Sequence, residues 1–205
     1  MNWNTITALS YLAKNDPIMK RLIEQYKKPL FTKHVKYYEE LVSSIISQQL
    51  SVKAASTIQK RFCALWNRDE IPPAHDILTM PDEKMREAGL SRQKISYIKD
   101  LAYKTENDEI DFKALEKANN EQIIEEITKV KGIGVWTVHM FLIFCMNRRD
   151  VLPVGDLGIR IAVGRLYGLG QVASPSEVRT VSETHHWAPY ESVAAWYLWR
   201  SLENK

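Results

Sequence analysis

Cysteine is scarce in this chain, and long apolar runs are absent. Two cysteines, Cys63 and Cys145, occur among 205 residues, which argues against a disulfide and excludes a cluster held by four cysteines. Both lie in apolar segments and are expected to be buried, reduced thiols. The longest apolar run, residues 140–146, is far too short to cross a membrane. Residues 1–5 lack the basic segment that opens a signal peptide, so none is expected.

Charge of one sign is also limited. The net charge is +3, with 26% charged and 45% hydrophobic residues. This balance is typical of a folded globular protein, and any nucleic-acid footprint must therefore be a local patch. The five histidines show no ligand spacing. His185 and His186, adjacent on a predicted helix, would point to different sides and would not form a metal pair.

The alternation of apolar and polar residues that marks a strand is missing, and helical periodicity takes its place. Apolar residues recur at three- and four-residue steps, for example in residues 38–46 and 123–130. Residues 151–154 are the best strand candidate, but Pro153 makes a loop the better interpretation. The sequence therefore predicts an all-α fold of about ten helices joined by short loops.

Cap residues support these helices. Ser51 and Ser91 stand at the start of two periodic segments, and Asn120 is predicted to cap the helix that runs to residue 128. Ser174 precedes a proline and a glutamate in the order of a capping box, which predicts a further helix start.

The most informative local segment is residues 130–137, with the sequence VKGIGVWT. A helix ends near Val130, two glycines stand one residue apart, and a second helical pattern begins at once. Glycine permits positive φ and close backbone approach, and the second helix would point its free N–H groups at the turn, which suits a phosphate. A plain helix–turn–helix corner explains the same residues, and both interpretations stay open from this segment alone.

A carboxylate follows about twenty residues later, in the sequence LPVGDLGIR of residues 152–160. Asp156 stands between a loop with proline and glycine and a helical pattern, so it can cap a helix. A carboxylate in this position can also stabilise a developing cation or orient water. The residues alone favour the cap.

Together these segments resemble the helix-hairpin-helix DNA glycosylase superfamily. Residues 130–137 resemble its hairpin, and Asp156 stands at the spacing of the family's invariant aspartate. Residues 44–51, SIISQQLS, resemble the loop that enters DNA, and residues 187–200 resemble the end of the alkylbase branch. The resemblance implies two helical lobes with the active site in the cleft between them.

The two lobes are predicted from the same resemblance. A central lobe of residues 36–150 would hold the loop that enters DNA and the hairpin. The second lobe would combine residues 1–35 with residues 151–205 and carry the catalytic aspartate loop.

Trp136 indicates which branch the chain resembles. Members that also cut the DNA backbone carry there a lysine whose amine attacks the sugar, whereas tryptophan has no nucleophile. With no four-cysteine cluster, the chain is similar to the 3-methyladenine DNA glycosylase II type. It looks like the shorter form that lacks an extra N-terminal β domain.

The resemblance also implies roles for individual residues. Asp156 would be catalytic. The walls of a pocket for the flipped base would be Trp136, Trp199, Met140 and Tyr38, although the family's aromatic is missing at Met140. Contacts with DNA would come from Gln48, Gln49, Leu50 and Ser51 in the loop and from Lys131, Gly132, Ile133, Gly134 and Thr137 in the hairpin.

The same resemblance implies partners. The substrate would be double-stranded DNA with alkylated bases, bound by a monomer in the cytoplasm or nucleoid, or in the nucleus of a eukaryote. No cofactor would be required, and a sodium or potassium ion could bind at the hairpin through the main-chain carbonyls of Thr128, Val130 and Ile133.

The implied reaction is hydrolysis of the N-glycosidic bond of 3-methyladenine, 7-methylguanine and similar purines, without lyase activity. Two alternatives stay open. One is a glycosylase for deaminated or mismatched bases, and the other is a helix-hairpin-helix module that binds DNA without catalysis.

Overall fold

The regular secondary structure is all helical in a computed structural model that describes residues 4–203. Within that range the secondary structure contains no β-strand, so the all-α prediction is confirmed. The elements are α1 (Thr5–Asn15), α2 (Pro17–Gln25), α3 (Tyr37–Ser47), α4 (Val52–Ala64), α5 (Ala74–Thr79), α6 (Asp82–Glu87), α7 (Arg92–Glu106), α8 (Phe112–Leu115), α9 (Asn120–Ile127), α10 (Val135–Met140), the π-helix Phe141–Cys145, α11 (Leu157–Leu166), α12 (Pro175–Thr184) and α13 (Glu191–Arg200).

The helices outnumber the ten or so that the sequence predicts. The additional ones are short, because α5 and α6 have 6 residues each and α8 has 4. Segments of one or two turns are too brief to show a helical period, and they form through packing and capping rather than propensity. Asp111 illustrates this, because its side chain accepts hydrogen bonds from the N–H groups of Lys113 and Ala114 at the start of α8.

The chain forms two compact units. One consists of Met1–Lys33 with Leu142–Lys205, and the other of His34–Phe141. The lobes predicted from the resemblance, divided at residues 36 and 150, stay a prediction.

The unit with both chain ends is built on α13. This helix packs against α1, α2 and α11, and α11 packs against α12. Its fully buried side chains include Leu12, Trp187 and Tyr197. Asp16 lies in the same unit with none of its surface exposed, and it links α2 to the residues that precede α13.

The other unit is built on α7. This long helix packs against α3, α5 and α6, while α3 also packs against α4 and α9 against α10. Ile95, Ile98 and Leu101 supply the buried face of α7. Buried Ile45 and Ile46 on α3 complete this part of the core.

Three predicted helix starts are confirmed and one is displaced. Ser51 and Ser91 accept N-cap hydrogen bonds at α4 and α7, and Ser174 forms the predicted capping box at α12. The cap of α9 is Asn119 rather than Asn120. Its partner three residues on is Gln122, which closes a capping box that Asn120 could not form.

His185 and His186 do not share a helix, so the prediction that both lie on one helix is wrong. Helix α12 ends at Thr184, His185 is its C-cap, and His186 adopts a positive φ of 51°. A left-handed residue beyond the cap ends the helix. Across residues 4–203 no group of three or more His, Cys, Asp and Glu side chains is arranged to hold a metal ion.

Other expectations from composition hold where they are tested. Cys63 and Cys145 are both buried thiols. Within residues 4–203 no helix has the length and apolarity needed to cross a membrane.

Candidate active site

Asp156 is the N-cap residue of α11. Its backbone is extended, with φ −69° and ψ 125°, and its Oδ1 accepts a hydrogen bond from the N–H of Ile159 at 2.9 Å. The same oxygen accepts a second hydrogen bond from Nε1 of Trp199 at 2.8 Å. The predicted cap is therefore present. A second donor from another helix fixes the plane of the half-buried carboxylate.

An aromatic surface stands beside this carboxylate. The ring of Trp199 on α13 lies 5.9 Å from the ring of Phe144, centroid to centroid, with 34° between their planes. Phe144 is 46% exposed, whereas its four neighbours in the π-helix are buried. The arrangement joins one anionic group to two aromatic faces within one unit.

Phe144 is a candidate site residue that the sequence prediction missed. It lies inside the apolar run of residues 140–146, where core packing is the ordinary expectation. The π-helix changes the register after α10, and such segments are frequent at functional sites. The sequence gives no direct signal of this change.

Gly158 makes room for the contact between the carboxylate and the indole. A Cβ atom at this position would lie 3.1 Å from Oδ1 of Asp156 and 3.1 Å from Cδ1 of Trp199. Both distances are shorter than ordinary van der Waals contact. Glycine in the first turn of α11 thus allows Trp199 to approach the cap residue.

Ser192 fixes the chain that leads into the Asp156 loop. Its buried hydroxyl donates to the carbonyl of Arg148 at 2.7 Å and accepts from the N–H of Val151 at 3.1 Å. Its own N–H donates to the carbonyl of Arg149 at 3.0 Å.

The loop before Asp156 ends in a turn, in which the N–H of Asp156 donates to the carbonyl of Pro153 at 2.9 Å. Residues 151–155 are a loop, as predicted.

The hairpin lies between α9 and α10. The N–H of Ile133 donates to the carbonyl of Val130 at 3.1 Å, and Gly132 has a φ of 77°. A Cβ atom on Gly132 would lie 2.0 Å from the Tyr97 ring, so close packing as well as φ requires glycine. Gly134 has no neighbour within 4 Å of such an atom. The predicted turn with two glycines is present, and the two glycines have different roles.

The other predicted hairpin residues divide into exposed and buried ones. Lys131 is exposed, and its N–H donates to Oδ2 of Asp100 at 2.9 Å. Thr137 and Ile133 are buried. Val130 is buried too, and Thr128 is the C-cap of α9. A role of these residues toward DNA or a cation stays a prediction.

The predicted pocket residues fall in both units. Trp199 contacts Asp156 in one unit. Trp136, Met140 and Tyr38 belong to the other unit, where Trp136 is 54% exposed and the other two are partly buried. Burial raises the pKa of the Tyr38 hydroxyl well above its usual range. The part of these three in a base pocket stays a prediction.

The predicted DNA loop is a tight turn. The N–H of Leu50 donates to the carbonyl of Ser47 at 3.1 Å, and Gln49 has a φ of 58°. The Gln48 amide donates to the carbonyl of Gly132 at 2.9 Å, which ties the loop to the hairpin. Ser51 caps α4, and Leu50 is 37% exposed.

The chain is similar to known DNA glycosylases. DNA-3-methyladenine glycosylase 1 of Schizosaccharomyces pombe is 38% identical over 194 residues, which cover 94% of this chain and 84% of that protein. A structure of the 3-methyladenine DNA glycosylase of that yeast, in complex with abasic DNA, matches with a TM-score of 0.82 and covers 97% of each chain.

A bacterial structure gives a similar match. The DNA-3-methyladenine glycosidase from Bacillus halodurans is 35% identical, with a TM-score of 0.87 over 96% of this chain and 89% of that one. The model of the HhH-GPD superfamily base excision DNA repair proteins matches residues 42–185, which include the Gln-rich loop, the hairpin and Asp156. The chain therefore belongs to the HhH-GPD superfamily of base excision DNA repair proteins.

Proposed function

We propose that this protein is a monofunctional DNA glycosylase that flips an alkylated purine out of DNA and hydrolyses its N-glycosidic bond. One observation carries the proposal: the Asp156 carboxylate, held by Ile159 and Trp199, stands beside aromatic rings. Membership of a base excision repair family supports it. The names of the relatives, which are 3-methyladenine glycosylases, support the substrate class.

The chemistry needs an anion at a fixed position. Cleavage of the bond between base and sugar leaves its electrons on the base and builds positive charge on the sugar. An ionised Asp156 stabilises that cation and orients the water that adds to it. The water oxygen bonds to the sugar carbon and one proton passes to Asp156 or to bulk water, which leaves the abasic sugar and the released base. The two donors to Oδ1 restrict the rotation of the carboxylate.

The aromatic rings suit the proposed base. An alkylated purine carries positive charge, and aromatic faces attract cations. Trp199 binds Asp156, and the exposed ring of Phe144 lies against Trp199 and offers such a face. Trp136, also about half-exposed, is a further wall in the proposal.

The absence of lyase activity is part of the proposal. Trp136, at the position where lyase members carry lysine, has no amine to form a Schiff base with the sugar. Borohydride reduces a Schiff base to a stable covalent adduct. We expect borohydride to trap no adduct between the protein and damaged DNA, and a trapped adduct would contradict this part.

The proposed partner is double-stranded DNA, contacted by the loop of residues 48–51 and the hairpin of residues 131–137. The protein would act as a monomer in the compartment that holds the DNA, which is the cytoplasm or nucleoid, or the nucleus of a eukaryote. Base release would need no cofactor and would continue in the presence of a chelator.

An alkali ion at the hairpin is a further part of the proposal. Main-chain carbonyls are hard oxygen ligands, and the carbonyl of Val130 keeps a second lone pair after accepting from Ile133. The carbonyls of Thr128, Val130 and Ile133 would hold the ion, which would add positive charge near a phosphate. DNA affinity should then fall when sodium and potassium are replaced by tetramethylammonium at constant ionic strength.

The test of the proposed function is release of bases from methylated DNA by the wild type and by Asp156→Asn. The asparagine Oδ1 can still accept from Ile159 and Trp199, so the cap and the fold are kept while the charge is lost. We expect the rate to fall by on the order of a hundredfold or more. Asp111→Asn, the same change at the cap of α8, is the matched control and should release bases normally.

The outcomes separate the alternatives. Equal release by the wild type and Asp156→Asn would refute the role of Asp156. Release of uracil or thymine but not of methylated purines would indicate a glycosylase for deaminated or mismatched bases. Binding of DNA with no release of any base would indicate a module without catalysis.

A further inference from the structure

One face of α7 contacts both the Gln-rich loop of residues 48–51 and the hairpin of residues 131–137. Lys94, Tyr97 and Asp100 follow one another at three-residue steps, so they lie along the same side of the helix. Lys94 bonds to the end of α3 and the loop that follows, Tyr97 packs over Gly132, and Asp100 accepts from the N–H of Lys131. A single rigid helix thus sets the distance between two segments that are far apart in sequence.

The loop that α7 holds is strained. Residues 47–50 form a turn in which Gln48 has φ −49° and ψ 129° and Gln49 has φ 58°. This is the geometry of a type II turn, whose third residue is normally glycine or asparagine. Glutamine in that conformation persists only where surrounding contacts enforce it.

Lys94 supplies two contacts to the backbone directly before the strained residue, Gln49. Its Nζ donates to the carbonyl of Ile46 at 2.7 Å and to the carbonyl of Gln48 at 2.7 Å. These carbonyls lie at the end of α3, where the helix dipole favours a cation. Burial lowers the pKa of Lys94, which indicates that the ammonium is partly removed from water to make these bonds.

Gln48 extends the connection to the hairpin. Its side-chain amide donates to the carbonyl of Gly132 at 2.9 Å. The backbone of Gln48 is held by Lys94 and its side chain by the hairpin. Gln48 is therefore engaged within the protein, whereas Gln49 and Leu50 form the exposed tip.

The tip carries apolar side chains that face solvent. Leu50 is 37% exposed and Val52, at the start of α4, is 90% exposed. Apolar side chains at such a position can enter between base steps and occupy the space that a flipped nucleotide leaves. Insertion is more favourable when the position of the tip is already fixed, because a mobile tip loses conformational entropy when it enters DNA.

We propose that Lys94 is a positioning residue for opening the duplex: its ammonium holds the strained turn so that Leu50 is presented at a fixed place relative to the hairpin. This inference rests on the proposed function. Lys94 does not touch the base or the sugar in this proposal, and it acts through the loop. Its removal should therefore affect the step that opens the duplex more than binding of undamaged DNA.

The experiment compares Lys94→Met with Lys99→Met, a matched change on the same helix where Lys99 pairs with Asp82 instead. Base release under single-turnover conditions is measured on a methylated purine that is correctly paired and on the same purine opposite a mismatch. Opening costs less at a mismatch. Affinity for undamaged duplex of the same length is measured in parallel.

We expect Lys94→Met to lower release from the paired duplex by about tenfold, since a hydrogen-bonded charge is lost. The loss should be about threefold or less at the mismatch, because opening the duplex there costs less free energy. Lys99→Met should behave as the wild type. Affinity for undamaged DNA should stay within about twofold for both variants.

Two outcomes would overturn the inference. One is release by Lys94→Met at the wild-type rate, and the other is the same fold-loss on the paired and mispaired substrates, which would indicate a general structural role. If Lys94→Met does not fold, Lys94→Gln keeps one donor and gives the same comparison. No release by the wild type would instead overturn the proposed function, and this inference with it.

Discussion

The indole N–H of Trp199 donates to Oδ1 of Asp156 at 2.8 Å, and these residues are 43 positions apart in the chain. The bond connects α13 to the N-cap of α11 within one unit. It gives Trp199 a role besides the predicted one of an aromatic wall, because its N–H restricts the orientation of the carboxylate. The orientation of the candidate catalytic group then depends on a tryptophan N–H.

Trp199→Phe should separate these two roles, because it keeps an aromatic ring and removes the N–H. Hydrogen bonds to charged groups contribute about 1.5–3 kcal/mol, and about 1.4 kcal/mol corresponds to a factor of ten. We expect the single-turnover rate of base release to fall by about tenfold or more for every base that the wild type releases. Trp196→Phe on the same helix is the control. A loss confined to some bases would instead indicate that Trp199 acts only as a pocket wall.

Gly158→Ala tests the same contact from the opposite side. Alanine favours a helix over glycine by about 1 kcal/mol, so the free energy of unfolding should not decrease through propensity. Its Cβ would lie 3.1 Å from both Asp156 Oδ1 and Trp199 Cδ1, so one of them must move. We expect slower base release, while the gain in helix propensity offsets part of the stability that the displaced contact costs. An unchanged rate would show that the carboxylate tolerates the shift.

Local features of this site could be predicted from the sequence, and contacts between distant segments could not. The cap position of Asp156 depends on the residues directly around it, as does the turn at Gly132. The bond from Trp199 depends on how α13 packs, which no local pattern encodes. Phe144 was missed because an apolar run gives no sign of the π-helix that exposes one of its members.

Exact helix boundaries also could not be predicted from the types of the residues alone. Asn119 and Asn120 are both good caps by residue type, and only the bond that Gln122 returns to the N-cap backbone selects Asn119. His186 was assigned to a helix because nothing in its sequence indicates a positive φ. The resemblance to a family supplied the roles that single residues could not, including the functional meaning of Asp156.

Asp16 is predicted to be the most sensitive polar residue for stability. Its buried carboxylate accepts from the N–H groups of Ile18 and Met19, from the Tyr167 hydroxyl at 2.6 Å and from Trp187 Nε1 at 2.8 Å. Asp16→Asn turns one acceptor into a donor that faces the Trp187 N–H. We expect the free energy of unfolding in urea to fall by about 3 kcal/mol.

Tyr167→Phe is the comparison for Asp16→Asn. It removes one donor but leaves the carboxylate with three others, so a smaller loss of about 1 kcal/mol is expected. The partly buried hydroxyl of Tyr167 has a raised pKa, first through burial and then through its bond to Asp16, so it remains a donor at neutral pH. Equal losses for the two variants would mean that Tyr167, rather than the whole set of donors, determines the stability of this network.

Gly134→Ala tests whether the hairpin backbone approaches DNA. Gly134 has φ −97° and ψ 170°, which any residue adopts, and a Cβ atom there meets nothing within 4 Å. Alanine is a poorer N-cap than glycine but has less freedom in the unfolded chain, and these effects nearly cancel. The free energy of unfolding should therefore change by less than about 0.5 kcal/mol.

No side chain or backbone of the protein lies close enough to require glycine at position 134, so the substitution tests what the hairpin contacts outside the protein. If a DNA phosphate lies against this backbone, the added methyl group prevents the approach, and we expect affinity for duplex DNA to fall by about tenfold. Gly132→Ala gives the opposite pattern, because its Cβ would meet the Tyr97 ring at 2.0 Å and destabilise the fold itself. Unchanged affinity in a stable Gly134→Ala protein would place the DNA backbone elsewhere, since a phosphate in contact with this turn could not accommodate the methyl group.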